Sequence, residues 1–304
     1  MKRVALLLCV LLAFPASAVA RPQGKRILFF TRSQGHEHST VRVNEETDVP
    51  FAMGTLSALA MPYNWEVVHT KDGGAFTPEN LDKFDAFVFI TTGDLTALRK
   101  GEDKKPLPAG DPNQLPMTAE GKAALLAAVT GGKGFVGLHN ASDTFHSAGE
   151  DQQNQPPEAV DPFIAMLGGE FVGHGDQQVA RIRVVDKRFP GFADIGSSLE
   201  FKEEWYALKN LANDLHAVLV IDPSGMNGKV YNRPPYPIAW SRQHGKGRVF
   251  YSALGHREDV WTMPAFQKML VGALKFALGV APGATKPNVK QVSPEYQQLP
   301  ARER

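Results

Sequence analysis

The sequence predicts an α/β fold in which a mainly parallel central sheet is covered by helices on both faces. Three observations carry this. Short apolar runs, RILFFT at 26–31, WEVVH at 65–69, FDAFVFI at 84–90 and GFVGL at 134–138, alternate with helical segments, the order that implies a parallel sheet with two helical layers. Several runs are almost continuously apolar, as strands buried on both faces are. Polar residues collect where each run ends, and there open α/β sheets place their ligand crevices.

Arg26–Thr31 reads as the first strand, and SQGHEHST (33–40) as a polar loop carrying His36 and His38. Val41–Leu59 reads as a helix closed by Met61 and Pro62, followed by a second strand, Trp65–His69. Thr77-Pro78 opens another helix, with proline at its first position. Phe84–Ile90 is the third strand and leaves through Thr91, Thr92, Gly93 and Asp94, before a Lys-, Gly-, Asp- and Pro-rich surface insertion at 99–116. Thr118 caps an amphipathic helix reaching Val129. That helix delivers the chain to KGFVGLHNASD (133–143), an inner strand that runs straight into His139, Asn140, Ser142 and Asp143.

A polar loop (147–157) and a helix over Pro162–Leu167 come next, and GGEFVGHG (168–175) breaks that helix and carries His174. Gln178–Val185 alternates, so one of its faces should be solvated. Phe201–Leu208 and Ala217–Ile221 read as strands, and Pro237–Trp240 and Gly247–Ala253 as a hairpin turning at 243–246. Gly255-His256 closes the last strand, and Pro264–Leu278 is the final helix. One domain over 25–279 is expected, with a Pro-, Gln- and Lys-rich tail at 280–304 read as unordered.

Residues 1–20 read as a secretory signal peptide: basic Lys2 and Arg3, an apolar core over Ala5–Phe14, and Ala18-Val19-Ala20 as cleavage signal. Without them the charge balance moves from 33 basic and 32 acidic residues to one basic residue fewer than acidic. Such near-neutrality gives no electrostatic case for nucleic acid or an anionic membrane. Cys9, inside the expected signal, is the sole cysteine. A mature chain then has no disulfide, no thiolate nucleophile and no cysteine metal ligand. The setting expected is secreted or periplasmic, without stable membrane insertion.

Five histidines fall where a strand ends or a glycine loop breaks: His36, His38, His139, His174 and His256. Strand ends of one parallel sheet converge on one edge, so these residues can share a site while distant in sequence. His69, His146, His216 and His244 take a structural reading. Glu203 and Glu204 precede Trp205 and Tyr206 in an expected strand, whose alternation turns only one glutamate to the site. Asp94 and Asp143 are the other strand-end carboxylates, each as fit to be a cap as a site residue. Imidazoles with a carboxylate suit zinc, manganese, nickel or ferrous iron. The same groups serve equally as general acid and base without metal. GLHNA (137–141) has the placement of a nucleophile elbow, with His139 where Ser or Cys would stand.

VGLHNASDTFH, LGGEFVGHGDQQ, EEWYAL, IAW and GRVFYSALGHREDVW, in that order, resemble the ThuA-like family, named for a trehalose-utilization protein. The resemblance covers Arg26 to about Leu278. It implies a flavodoxin-like three-layer α/β/α sandwich, similar to class I glutamine amidotransferases. It maps a recurring histidine onto His38, a G-[IL]-H-x-A-x-D element onto Gly137, Leu138, His139, Ala141 and Asp143, and a G-x-F-x-x-H element onto Gly169, Phe171 and His174. An acidic D-E-W-Y element maps onto Glu203 to Tyr206, with Glu203 replacing the usual Asp, and a final G-H onto Gly255 and His256. Asn140 after the first histidine also departs from the usual pattern. The resemblance makes Glu204 the inward glutamate.

The function that the resemblance implies is carbohydrate processing: hydrolysis or elimination on a glycoside or 3-keto-glycoside. His139, Glu204 and Asp143 are the expected catalytic residues. His38, His139, His174 and His256 are the expected ligands of a divalent transition metal. Asn140, Asp94, Trp205, Tyr206 and Trp261 are expected to bind the sugar. The competing expectation is a periplasmic sugar-binding protein without catalysis, in which Trp205, Tyr206 and Trp261 stack on the ligand. Homo-oligomerisation stays open.

Overall fold

The computed structural model describes residues 24–44, 46–98 and 115–300. The expected signal peptide and almost all of the 99–116 insertion lie outside these. Nine strands form one sheet in the order β2-β1-β3-β4-β11-β10-β9-β6-β7. β1 (Arg26–Phe30), β2 (Glu66–Thr70), β3 (Ala86–Phe89), β4 (Gly134–Leu138) and β11 (Gly247–Ser252) are mutually parallel, in the order 2-1-3-4-5 of flavodoxin-like folds. Beyond β11 the sheet turns antiparallel, through β10 (Tyr236–His244), β9 (His216–Asp222), β6 (Gln178–Val184) and β7 (Ser198–Glu203).

The burial of each strand follows its place. β3 and β4 are buried at every position, whereas β6, next to the sheet's edge, alternates buried and exposed residues from Val179 to Val184 as its sequence predicts. Helices α2 (Pro78–Leu81), α3 (Ala119–Gly131) and α4 (Pro162–Leu167) form one packed group, and α1 (Phe51–Ala60), α5 (Glu258–Thr262) and α6 (Pro264–Ala277) another. Successive residues of β4 reach the two layers. The Phe135 ring meets Phe163 of α4, while a Cβ at Gly134 would stand 2.4 Å from the Ala277 carbonyl of α6. Side chains alternate across a strand, so this is a three-layer sandwich. Among the described residues no helix is long and apolar enough to cross a membrane.

Four expectations need correction. The helix expected over 41–59 is α1 alone, preceded by a single 3₁₀ turn at Ser39–Val41; Pro50, extended at the N-cap, disfavours helical backbone in the residue before it. GGEFVGHG is not simply a loop, because β5 (Glu170–His174) pairs antiparallel with β8 (Tyr206–Lys209) in a separate two-stranded ribbon. The single strand expected over 201–208 is therefore two strands in two sheets, jointed at Glu204 and Trp205. The indole N–H of Trp205, fully buried, donates to the Gln178 carbonyl at 2.8 Å and holds that joint.

The expectation of an unordered tail fails for residues 280–300. A short helix, α7 (Val289–Val292), buries Val289 and lies against β9. Asn288 acts as a one-residue strand beside Ala217, accepting its N–H at 2.7 Å and donating to its carbonyl at 3.0 Å. Tyr296, also buried, donates to Asn213 Oδ1, and its carbonyl accepts from Arg233. Polar composition concealed these anchors, which are single residues rather than a periodic pattern. Asn288→Ala should lower unfolding stability by about 1–3 kcal/mol, since Ala217 loses both partners; urea denaturation of the variant measures it.

Candidate active site

The backbone of β4 aims the first site residue. His139, directly after the strand, has φ +43°, a left-handed conformation that costs a side-chain-bearing residue roughly 1–2 kcal/mol. The turn is tight on both sides: a Cβ at Gly137 would lie 2.8 Å from Leu167 and 3.1 Å from the Ala141 methyl. Hence glycine at 137 and a small residue at 141. The His139 carbonyl is pinned by the Tyr251 hydroxyl at 2.8 Å and by Ser142 Oγ at 3.3 Å. This is the strained geometry of a nucleophile elbow, with an imidazole in place of the nucleophile.

Three other segments bring partners. His38 comes from the loop after β1, His256 from the turn after β11, and Glu204 from the joint between β7 and β8. The atoms His38 Nε2, His139 Nε2, His256 Nδ1 and Glu204 Oε2 converge. Glu204 Oε2 lies 3.2 Å from His256, 3.5 Å from His139 and 3.9 Å from His38, and the His139 and His256 nitrogens are 3.3 Å apart. Ligand atoms of these four residues all lie within 4.8 Å of one another. Gly255, at φ +123°, bends the chain as a residue with a Cβ rarely does. Glu203, fully buried, accepts the backbone N–H of His256 at 2.7 Å and of Arg257 at 3.2 Å. Burial pushes the Glu203 carboxyl up to about 8.

Electrostatics inside the cage are one-sided. Burial pushes His139 down to about 3 and also lowers His38, so both imidazoles are neutral near pH 7. Burial alone would raise Glu204, yet the contacts with His139, His256 and His38 outweigh it and hold the carboxyl well below the usual range. Neutral nitrogens around an anion suit a cation. Two donors about 2.1 Å from one ion, at tetrahedral or octahedral angles, stand roughly 3.0–3.4 Å apart, close to most separations here. His139 Nδ1 donates to the Ala253 carbonyl at 3.0 Å, which bares Nε2, as metal-binding histidines commonly give their other N–H to a carbonyl.

His38 Nδ1 meets the buried Asn140 amide at 3.1 Å, and Asn140 Oδ1 has no partner. Exchanging the two amide atoms would set that oxygen against His38 Nδ1–H and bare its Nε2. His256 Nε2 accepts from the Gln177 amide at 2.8 Å, and Gln177 Oε1 is taken by Arg257 at 2.6 Å. The hydrogen on His256 Nδ1 therefore points into the cage, where a cation would have to displace it.

The expected residues separate into those at the cage and those elsewhere. His38 faces inward and His36 is exposed, their rings 5.0 Å apart, which settles the choice between them. His174 stands outside the four-donor group: its Nδ1–H donates to the Gly175 carbonyl at 3.0 Å and lies 3.3 Å from the other Glu204 oxygen, Oε1. Asn140 is fully buried behind His38 instead of open to a sugar. Asp94 closes a local turn by accepting from Thr96 N and Oγ1. Trp205 and Trp261 are fully buried, the latter donating to the Gly255 carbonyl at 2.9 Å, so neither is a stacking platform. Tyr206, also buried, packs its ring 4.2 Å from His139.

Asp143 lies outside the cage, its Oδ1 accepting from His146 Nε2 at 2.6 Å. His146, given a structural reading from sequence, also donates through Nδ1 to the buried Glu170 at 3.2 Å. Phe145 between them has φ +53° and folds the ring back on Asp143. No periodicity marks His146, Glu203 or Gln177. The acidic run at 203–204 and the family-like stretches holding His146 and Gln177 were the signals, and none of them shows that both glutamates serve the same loop.

The family model described as trehalose utilisation, ThuA, matches residues 26–277. A protein described as ThuA-like from Bacteroides uniformis ATCC 8492 has a similar structure, with TM-score 0.61 and 18% identity over 90% of this chain and 98% of that one. Another so described, from Parabacteroides merdae ATCC 43184, gives TM-score 0.52 and 14% identity over 92% and 98%. At such identities the likeness is one of fold. No curated protein matches the chain.

Contact with Asp143 first, and then with Glu170, raises His146 to about 9. A raised histidine stabilises the fold fully below its unfolded value near 6.5, and that contribution is lost as pH rises through 9. The ring is two-fifths exposed, so screening leaves about 1 kcal/mol. Melting temperature should therefore fall between pH 6.5 and 9 in the wild type and stay flatter there in His146→Gln.

Proposed function

The chain belongs to the ThuA family, and from that membership together with the cage of three imidazoles and one carboxylate we propose a secreted or periplasmic carbohydrate-processing enzyme, cleaving a glycoside or 3-keto-glycoside by hydrolysis or elimination. The observation that carries this is the convergence of His38, His139, His256 and Glu204 on one point at the carboxyl edge of a parallel sheet. A non-catalytic protein gains nothing from burying such a set, because each buried polar group costs free energy unless paired.

The four donors fit a divalent transition ion, zinc, manganese, nickel or ferrous iron, which when bound would polarise a carbonyl or hydroxyl oxygen of the sugar. The remaining work falls to the chain. Glu204 divides its oxygens, Oε2 to the cage and Oε1 to His174. His174, with its proton held at Nδ1 and its side chain 43% exposed, leaves Nε2 to accept from a sugar hydroxyl. On a 3-keto-glycoside the ketone acidifies the neighbouring C2–H. A protein base takes that proton, the C–H pair forms the C1=C2 bond, and the C1–O bond breaks with its pair going to the departing oxygen. Water adding to the product completes a hydrolysis. The sugar-binding alternative lacks its platform, since Trp205 and Trp261 are core residues.

Metal analysis of purified protein by mass spectrometry, paired with product release from a 3-keto-glucoside, tests the reading. We expect near one equivalent of transition metal in the wild type, lost in a His139→Ala/His256→Ala double variant together with at least about 100-fold of turnover. A wild type that is inert on keto- and ordinary glycosides alike overturns it.

A further inference from the structure

Three carboxylates stand near the cage, and their surroundings differ. Glu204 is ringed by imidazoles. Glu203 is fully buried under the backbone of His256 and Arg257. Asp143 alone has a side chain about a fifth exposed, with one oxygen engaged by His146 and Oδ2 without a protein partner among the described residues. It follows His139 on the same 3₁₀ turn, at the end of β4. The Tyr206 phenol, whose ring packs on His139, is held protonated first by its burial and then by the charges of Asp143 and Glu204.

The grip on Asp143 is more elaborate than a surface ion pair. His146 donates from both ring nitrogens, to Asp143 Oδ1 and to Glu170 Oε1. Glu170 is held at both oxygens: Ser147 N and Lys209 approach Oε1 at 3.1 and 3.5 Å, and Ser147 Oγ and Asn210 Nδ2 donate to Oε2 at 2.6 and 2.7 Å. Phe145 holds its left-handed backbone with its ring packed against Phe163 and Lys122 Nζ over its face at 3.9 Å. A ring that donates twice has no lone pair with which to take a proton. It can only orient and charge-stabilise its partner.

We propose that Asp143 is the proton-accepting catalytic carboxylate of this site and that His146, anchored on Glu170, is its positioning residue. The inference rests on the reading of the site as a glycoside-cleaving centre. One proton moves in the assigned step: the hydrogen α to the ketone passes to Asp143 Oδ2, its bonding pair forms the C1=C2 bond as the C1–O bond breaks with its pair on the departing oxygen, and the same proton can then pass to that oxygen. Donation from His146 fixes the Oδ1 side, which leaves Oδ2 as the face that meets substrate.

The test uses the full, metal-loaded protein with a 3-keto-glucoside. Asp143→Asn should lower kcat by about 100-fold or more, and His146→Ala by about tenfold, with KM and metal content unchanged at neutral pH, with melting temperature lowered only by the small contribution of the His146 ion pair, and with added imidazole restoring part of the His146→Ala loss. The His146 ring, followed by NMR, should titrate near 9 in the wild type and more than about one unit lower in Asp143→Asn. Full kcat in either variant, or a His146 midpoint indifferent to Asp143, overturns this inference and leaves the functional reading standing. A wild type inert on the keto-glycoside overturns both.

Discussion

A carboxylate enclosed by imidazoles is what the rest of this structure is arranged to tolerate. Placing Glu204 among His38, His139 and His256 removes it from bulk water, and burying a charge is costly unless it is paired and hydrogen-bonded. The chain meets part of that cost with the His256 Nδ1–H on one oxygen and the His174 Nδ1–H against the other. Each arm is separately stiffened: His139 by a left-handed elbow with its carbonyl tied to Tyr251, His38 by Asn140, His256 by Glu203 and by Trp261 under Gly255. Removing any support frees an arm while the charge stays buried.

The ribbon of β5 and β8 explains why a parallel sheet alone is insufficient. Parallel strand ends supply His38, His139 and His256 from one edge, but the carboxylate comes from outside that set. It comes from the joint where the chain leaves the antiparallel part of the main sheet at Glu203 and re-enters order at Tyr206. The same ribbon carries Glu170 and His174. One small two-stranded element therefore orients His174 on one oxygen of Glu204 and fixes the imidazolium that holds Asp143.

What could be read from the residues divides along physical lines. FDAFVFI and GFVGL announce buried parallel strands because both faces are apolar, and the order of strands and helices leads from there to the sandwich. The histidines were legible as a group because strand ends converge. Trp205 and Trp261 were misplaced because an aromatic residue near polar neighbours looks alike whether it stacks on a ligand or plugs the core. The break at Glu204 was invisible because Phe201, Trp205 and Tyr206 favour a strand on both sides of it, and only the burial of Trp205 against Gln178 splits it. His146 closes the VGLHNASDTFH stretch, but no spacing assigns it a role; its two carboxylate partners come from a strained turn and from a ribbon strand that sequence did not reveal.

The donors at 38, 139, 204 and 256 come from the first, middle and last parts of the described chain, each entering from a different connection. No autonomous fragment contains the cage. A polypeptide cut anywhere between His38 and His256, or still emerging during synthesis, can form strands and helices yet owns at most part of the site. An ion bound there would join four remote segments and stabilise the folded chain by its binding free energy, since the unfolded chain holds no such site. Activity and integrity thus become one property, and partial degradation would yield a silent protein instead of a weakened one.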